Sequence, residues 1–244
     1  MRSAYLAMVV MIMFSIAATC SAGEDAVKVF YAQGPRSVKA IALTFDDGPG
    51  NYTEKILSVL KQNGVKATFF MEGSQVTLRP AIAKEVAAAG HEIGNHTYNH
   101  LNYYSDVKVD REKVLATEMQ KTADAIQKAT GETPRLMRVP NGYIRAWVKD
   151  LALREKYTVI NWSFGCDWKK LTADQLFAVY SKNLQPGAIF LMHDGGKHRQ
   201  ATAEMLGRLI AEARRQGYSM VTISELLNLT PQTIAVTQPA GKRK

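Results

Sequence analysis

Asp46 and Asp47 stand side by side in ALTFDDGPG, residues 42–50, where a run that reads as a buried strand meets a tight turn. Adjacent carboxylates repel each other unless a positive charge offsets them. Further along, NHTYNH places His96 and His100 four residues apart. If that segment turns helically, both imidazoles face one way and can grip one ion. Position 97 is Thr, so the HExxH pattern of zinc proteases is not met. Two imidazoles and one carboxylate make a metal triad with positions open for water and substrate, and either Asp46 or Asp47 could supply the anion. Arg138, Asp167 and His193 add a fixed cation, a further carboxylate and a group able to move a proton near neutral pH.

These residues need elements to bring them together. Short apolar runs at 40–45, 67–71, 91–95, 135–138, 158–162, 188–192 and 219–221 read as strands. Amphipathic stretches at about 53–63, 76–89, 110–130, 145–155, 172–184 and 200–216 read as helices. Gly64, Gly90 and Gly217 punctuate three helix ends just before the next strand. The alternation predicts an α/β fold with a mostly parallel sheet and covering helices. Asp46 and Asp47 follow the first predicted strand and His96 the third. Arg138 ends the fourth, Asp167 follows the fifth and His193 ends the sixth. The C-terminal strand ends of such a sheet share one face, so these side chains are expected to converge on one cleft. Because side chains alternate along a strand, Asp46 and Asp47 are expected to point at different partners.

With those motifs in order, the chain resembles the polysaccharide deacetylases of carbohydrate esterase family 4, the NodB homology domain. The resemblance rests on TFDDG at 44–48, HTYNH at 96–100, RVPNG at 138–142, DW at 167–168 and LMH at 191–193, and covers about residues 39–228. It implies a distorted (β/α) barrel of about seven parallel strands. It also implies roles: Asp46 as general base, Asp47, His96 and His100 as metal ligands, and Arg138 as the partner that keeps Asp46 charged. The backbone amide of Asn141 would stabilise the oxyanion. His193 would be the general acid, oriented by Asp167. Trp168 and Leu191 would wall a pocket for the acetyl methyl. The implied cofactor is a divalent metal, Zn²⁺ by family habit, although Co²⁺ or Ni²⁺ would suit the same donors.

Amide hydrolysis needs what such a set offers: a nucleophile, a place for negative charge on oxygen, and a proton for the leaving amine. Taken singly, each residue also has an ordinary structural explanation. Asp46 and Asp47 could form an Asx turn before Gly48, Arg138 a surface ion pair, and His193 a satisfied strand end. Their joint arrangement outweighs those explanations. Two departures from the family pattern stand out. Asn141 replaces a common aromatic, which removes a sugar-stacking surface but keeps an amide. Phe164 replaces the first Asp of the usual Asp-x-x-Asp-Trp. Asp194 follows the expected acid, as it often does in the family. Cys166, beside Asp167, reads as a small packed residue.

The leading expectation is an exported metal-dependent N-deacetylase of N-acetylglucosamine units in peptidoglycan, a chitin-type oligomer or an exopolysaccharide. O-deacetylation of a xylan-like glycan and a catalytically silent glycan-binding relative are the competing readings. The chain has 244 residues, 46% hydrophobic, which suits one sizeable core. Arg2, the apolar run 4–18 and CSA before Gly23 read as a signal peptide over 1–22, too short to span a membrane. The product is expected to be periplasmic or secreted and monomeric, with no stable membrane span. Residues 23–38 read as a lead-in and 229–244 as a basic tail. Loss of Cys20 with the signal leaves Cys166 alone, so no intramolecular disulfide is expected. The full chain carries a net charge of +9, and without Arg2 it keeps 30 basic and 22 acidic residues, a net +8. That balance suits an anionic envelope polymer. Neither zinc-finger spacing nor an aromatic RNA-binding signature is present, so nucleic acid is not an expected partner.

Overall fold

The computed structural model describes residues 28–229. The expected signal at 1–22, Cys20 within it, and positions 230–244 of the expected tail lie outside those residues. Nine short strands form one all-parallel sheet: β1 Phe30–Tyr31, β2 Ala40–Gly48, β3 Thr68–Met71, β4 Glu92–Asn95, β5 Leu136–Met137, β6 Thr158–Ile160, β7 Phe164–Gly165, β8 Ile189–His193 and β9 Ser219–Val221. Their order is β1-β6-β5-β4-β3-β2-β8-β7, with β9 also pairing β2. Every pairing is parallel, and none joins β1 to β7. The sheet is therefore the expected distorted barrel, left open between its two ends.

All seven predicted strands are present, and two more were not foreseen. Phe30–Tyr31 pairs with β6, so the expected lead-in contributes to the sheet. Phe164–Gly165 pairs with β8 and extends the other end. Both are only two residues long, too short for a period of two to show in the sequence.

The helices are α1 Thr53–Gln62, α2 Gly73–Leu78, α3 Pro80–Ala88, α4 Arg111–Thr130, α5 Ala146–Arg154, α6 Ala173–Lys182, α7 Gln200–Arg215 and α8 Ile223–Leu227. The single helix expected over 76–89 is two, because Pro80 has no N–H to continue α2 and instead begins α3. Gly64, Gly90 and Gly217 have φ of 59°, 74° and 80°, the left-handed conformation that ends a helix.

Strand β2 shows how the pattern places the site. Ile41, Leu43 and Phe45 pack into the main core with Ile56 and Leu60 of α1 and Leu206 and Leu209 of α7. Ala40 and Ala42 face the opposite way, into a smaller cluster with Phe70, Ile160 and Ile189, which α8 joins through Ile223 and Leu226. Thr44 and Asp46 continue that inner row, so the strand that is apolar at its start ends in a carboxylate inside the barrel mouth.

Candidate active site

At the end of β2 the regular pleat breaks. Asp46 pairs with Phe70 and Gly48 with Met71, so Asp47 is an extra residue in a bulge, with φ of 70°. A bulge re-aims a side chain. The expected alternation of the two aspartates therefore fails: Asp46 Oδ2 lies 3.6 Å and Asp47 Oδ1 3.4 Å from the same nitrogen, His96 Nε2. The backbone of the β8–α7 loop packs directly on the bulge. A Cβ at Gly195 would fall 1.9 Å from the Asp47 carbonyl oxygen, so only glycine fits there.

His96 and His100 do meet, but not on a helix. The segment between them is a loop in which Thr97 and His100 have φ of 65° and 50°. Glu118 of α4 holds its backbone, accepting from the N–H groups of Tyr98 at 3.0 Å and Asn99 at 2.7 Å, and from Asn99 Nδ2 at 2.9 Å. Asn95 Oδ1 accepts from Thr97 N at 3.0 Å. The ring centroids of His96 and His100 lie 5.0 Å apart, and His100 Nε2 is 3.5 Å from Asp47 Oδ1. His96 Nδ1 donates to the Arg138 carbonyl at 2.6 Å, which leaves Nε2 facing the carboxylates.

Arg138, fully buried after β5, donates from Nη1 to Asp46 Oδ1 at 2.6 Å and to Thr44 Oγ1 at 2.8 Å. Its remaining donors reach the carbonyls of Ile160 at 3.1 Å and Asn161 at 3.2 Å, and its guanidinium stacks 4.1 Å over Phe70. A buried charge needs this degree of pairing. Asn141 sits in a single turn, Pro140–Gly142, with φ of 57°. Asn161 Nδ2 donates to the Gly142 carbonyl at 3.2 Å, tying that turn to the Arg138 cluster.

On the other side of the mouth His193 ends β8. Its Nδ1 pairs with Asp167 Oδ1 at 2.7 Å, and its backbone N–H donates to Asp167 Oδ2 at 2.8 Å. Thr202 Oγ1 also donates to Asp167 Oδ2, at 2.9 Å. Asp167 follows β7, the unforeseen strand, and not directly the fifth predicted one. Trp168, half exposed, stands edge-on to His193 with ring centroids 6.0 Å apart. Leu191 is buried two residues before His193. A Cβ at Gly165 would come within 2.8 Å of Leu191 and 3.2 Å of Trp168, so that glycine keeps the space between them clear.

The charges explain one another. Burial raises the Asp47 carboxyl, but the charge of His96 close by, with help from His193 and His100, brings it well below the usual range. Burial lowers His96, but the Asp46 and Asp47 carboxylates outweigh it and hold the ring up to about 9. His100 is lowered by burial and by the charge of His96. Burial lowers His193, yet Asp167 more than offsets it, so the ring lies above an ordinary imidazole. Two carboxylates here demand positive charge, as a proton or a cation. Asp47 Oδ1 is buried without a hydrogen-bond partner, and the donor atoms of Asp47, His96 and His100 lie within 4.8 Å of one another. An orphaned acceptor beside two imidazole nitrogens fits a divalent cation.

Sequence reasoning missed the supports. Thr44 was legible as a polar residue on the inward row of β2. Glu118, Asn95 and Thr202 gave no signal: Glu118 and Thr202 meet Asn99 and Asp167 only once the chain is folded, and nothing local marks Asn95 as the acceptor of the Thr97 N–H. Asp194 is legible in the sequence only as the residue after His193. It is buried, accepts from Thr53 Oγ1 at 2.5 Å, and burial with the nearby Asp47 charge pushes it up to about 7. Cys166 is free, buried and packed in the main core.

An open parallel barrel that gathers Asp46, the Asp47–His96–His100 group and the His193–Asp167 pair at its C-terminal mouth matches a hydrolase of the carbohydrate esterase type. The model of the polysaccharide deacetylase family matches residues 33–160, and the chain belongs to that family. A peptidoglycan-N-acetylglucosamine deacetylase of Bacillus cereus is 39% identical over 197 residues, covering 79% of this chain and 90% of that protein. The peptidoglycan-N-acetylmuramic acid deacetylase PdaA of Bacillus subtilis is 32% identical, covering 80% and 73%. The crystal structure of the Bc1960 peptidoglycan N-acetylglucosamine deacetylase, bound to a benzamide compound, superposes with a TM-score of 0.78 at 33% identity, covering 83% of this chain and 94% of that one.

Proposed function

We propose that this chain is an exported, metal-dependent N-deacetylase that removes acetyl from N-acetylglucosamine units of peptidoglycan. One observation carries the metal reading: the buried, unpartnered Asp47 Oδ1 set between His96 and His100. The names of the relatives support the substrate. The apolar run 4–18 behind Arg2 supports export to the periplasm or beyond. The proposed groups all come from one chain, so a monomer suffices.

Asp47, His96 and His100 would hold the cation, Zn²⁺ by donor type, with Co²⁺ or Ni²⁺ also compatible. When bound, such an ion supplies a Lewis acid for the amide carbonyl and acidifies a water to a pKa of roughly 7. Asp46 accepts the proton of the attacking water, and Arg138 fixes the orientation of that carboxylate. The Asn141 backbone N–H donates to the oxygen that becomes negative as water adds to the carbonyl carbon. His193 delivers its Nε2 proton to the amide nitrogen as the C–N bond breaks, and Asp167 on Nδ1 fixes the ring for that task. Trp168 and Leu191 wall the acetyl methyl. One amide and one water become one amine and one acetate.

The test is acetate release and new amine formation on glycan strands of peptidoglycan and on chitooligosaccharides, with the metal-loaded protein. Release from the glucosamine sugar of peptidoglycan is expected. An unchanged N-acetyl content in every glycan would contradict the proposal, and release from the muramic sugar alone would reassign the substrate.

A further inference from the structure

A second cavity opens directly beside the His193–Asp167 pair. It has a volume of about 890 Å³ and is lined by Asp167, Trp168 and Tyr52 together with Lys169, Lys170, Lys197 and Arg199. Lys169 and Lys170 follow Trp168 on the loop before α6, while Lys197 and Arg199 lie on the loop between β8 and α7. Both loops leave the C-terminal ends of neighbouring strands, so four cations gather at one side of the mouth. Among the described residues none of the four takes part in an ion pair. The two carboxylates in the lining are otherwise engaged. Asp167 is bonded to His193 and Thr202, and Glu204 accepts from Gln200 at 2.7 Å and lies 3.9 Å from Lys55.

The cations are also placed. Arg199 donates from Nε to the Gly195 carbonyl at 3.1 Å and from Nη1 to the Asp167 carbonyl at 3.4 Å, which orients its guanidinium between the two loops. Lys197 lines this cavity and also a smaller one, of about 290 Å³, that contains Asp47. Lys197 is thus shared between the cavity that contains Asp47 and the one lined by Asp167 and the exposed Trp168 ring, a surface on which a sugar can stack.

We propose that this cleft is a subsite for a carboxylate carried by the sugar next to the one deacetylated. The positional part of this inference rests on the deacetylase reading above, while the carboxylate preference itself does not. A neutral homopolymer gives uncompensated cations nothing to pair with. A glycan whose alternate sugars bear a lactyl ether or a peptide stem presents a carboxylate at the spacing of one residue. One exposed pair is worth little, but several cations converging on one anion raise both capture rate and affinity, in a salt-sensitive way. The specificity would then lie in these two loops, apart from the base and acid.

The experiment measures binding, so that turnover does not intervene. The full chain carrying Asp46→Asn is titrated with soluble glycan strands bearing free carboxylates, and with the same strands after amidation. At low salt, amidation is expected to weaken binding by about tenfold or more, and added salt to shrink the difference. Adding Lys169→Gln, Lys170→Gln and Lys197→Gln, all exposed positions, is expected to bring the two dissociation constants within about twofold of each other. Strands freed of peptide but keeping the lactyl carboxylate show which source supplies the anion: retained preference assigns the lactyl group, and lost preference the stem. Equal affinity for free and amidated strands, or a preference that survives the three substitutions, would overturn the proposal. Acetate release by the unsubstituted protein, followed alongside, judges the deacetylase reading separately.

Discussion

At the residue scale two adjacent carboxylates divide the labour. The sequence made both visible, and their partners Arg138, His96 and His100 as well, because such residues recur at successive strand ends, an arrangement that single structural roles do not explain. The reason offered for the division did not survive. Alternation along a strand would send Asp46 and Asp47 to opposite faces, whereas the bulge brings both to His96. Nothing in TFDDG marks a bulge, since it depends on the register against β3 and on the bare backbone of Gly195 approaching from β8. The division instead follows from the partners: Asp46 is bonded to Arg138, while Asp47 Oδ1 is left to the imidazoles. Asp47→Ala is therefore expected to lower metal affinity by about a hundredfold or more, since even loss of a residue that only supports a ligand costs roughly ten- to a hundredfold. Asp46→Asn is expected to retain the metal and to lose turnover by about a hundredfold or more. Metal content after dialysis and initial rates, measured on both variants, check this.

At the element scale the long patterns were readable and the short ones were not. Helices such as α4 and α7, and strands such as β2 and β8, carry enough residues for their period to show. Strand β7 has two residues, yet it positions Asp167, which the sequence pattern places after the preceding strand. The His96–His100 segment, whose imidazoles would share one face if it turned helically, is a loop whose shape is imposed by Glu118 of α4. The entry to β4 yields a prediction of its own. His91 Nδ1 accepts from the Ala67 N–H at 3.1 Å, joining the start of β4 to the start of β3, and its ring packs edge-on against Phe69. Burial first, and Lys66 second, lower its pKa to about 4. The folded value lies below the unfolded one of about 6.5, so the unfolded chain binds the proton more readily. This contribution to stability is complete above about pH 6.5 and is lost as pH falls toward 4, by up to roughly 3 kcal/mol. Urea denaturation at pH 7 and near pH 4.5 is expected to show the loss in the parent and a smaller loss in His91→Gln. An equal loss in both would remove His91 from the explanation.

At the scale of the whole molecule, the parallel topology turns scattered residues into one site. Asp46, His96, Arg138, Asp167 and His193 come from chain positions far apart, and meet because every strand of the sheet runs the same way. That convergence was legible from the βα rhythm before any motif was named. The two extra strands and the open seam between β1 and β7 were not, because closure depends on packing that no local pattern encodes. No helix among the described residues is long and apolar enough to cross a membrane. The net positive charge and the cationic cleft beside His193 suit an anionic wall polymer. The central claim, one cation held at this mouth and required for deacetylation, is tested most directly by titration. Chelated protein is refilled with Zn²⁺ while bound metal and acetate release from peptidoglycan strands are followed together. The account predicts no release from the chelated protein, and release that rises in step with bound metal and saturates at one ion per chain. Full acetate release from metal-free protein, or a filled site with no release, would contradict it.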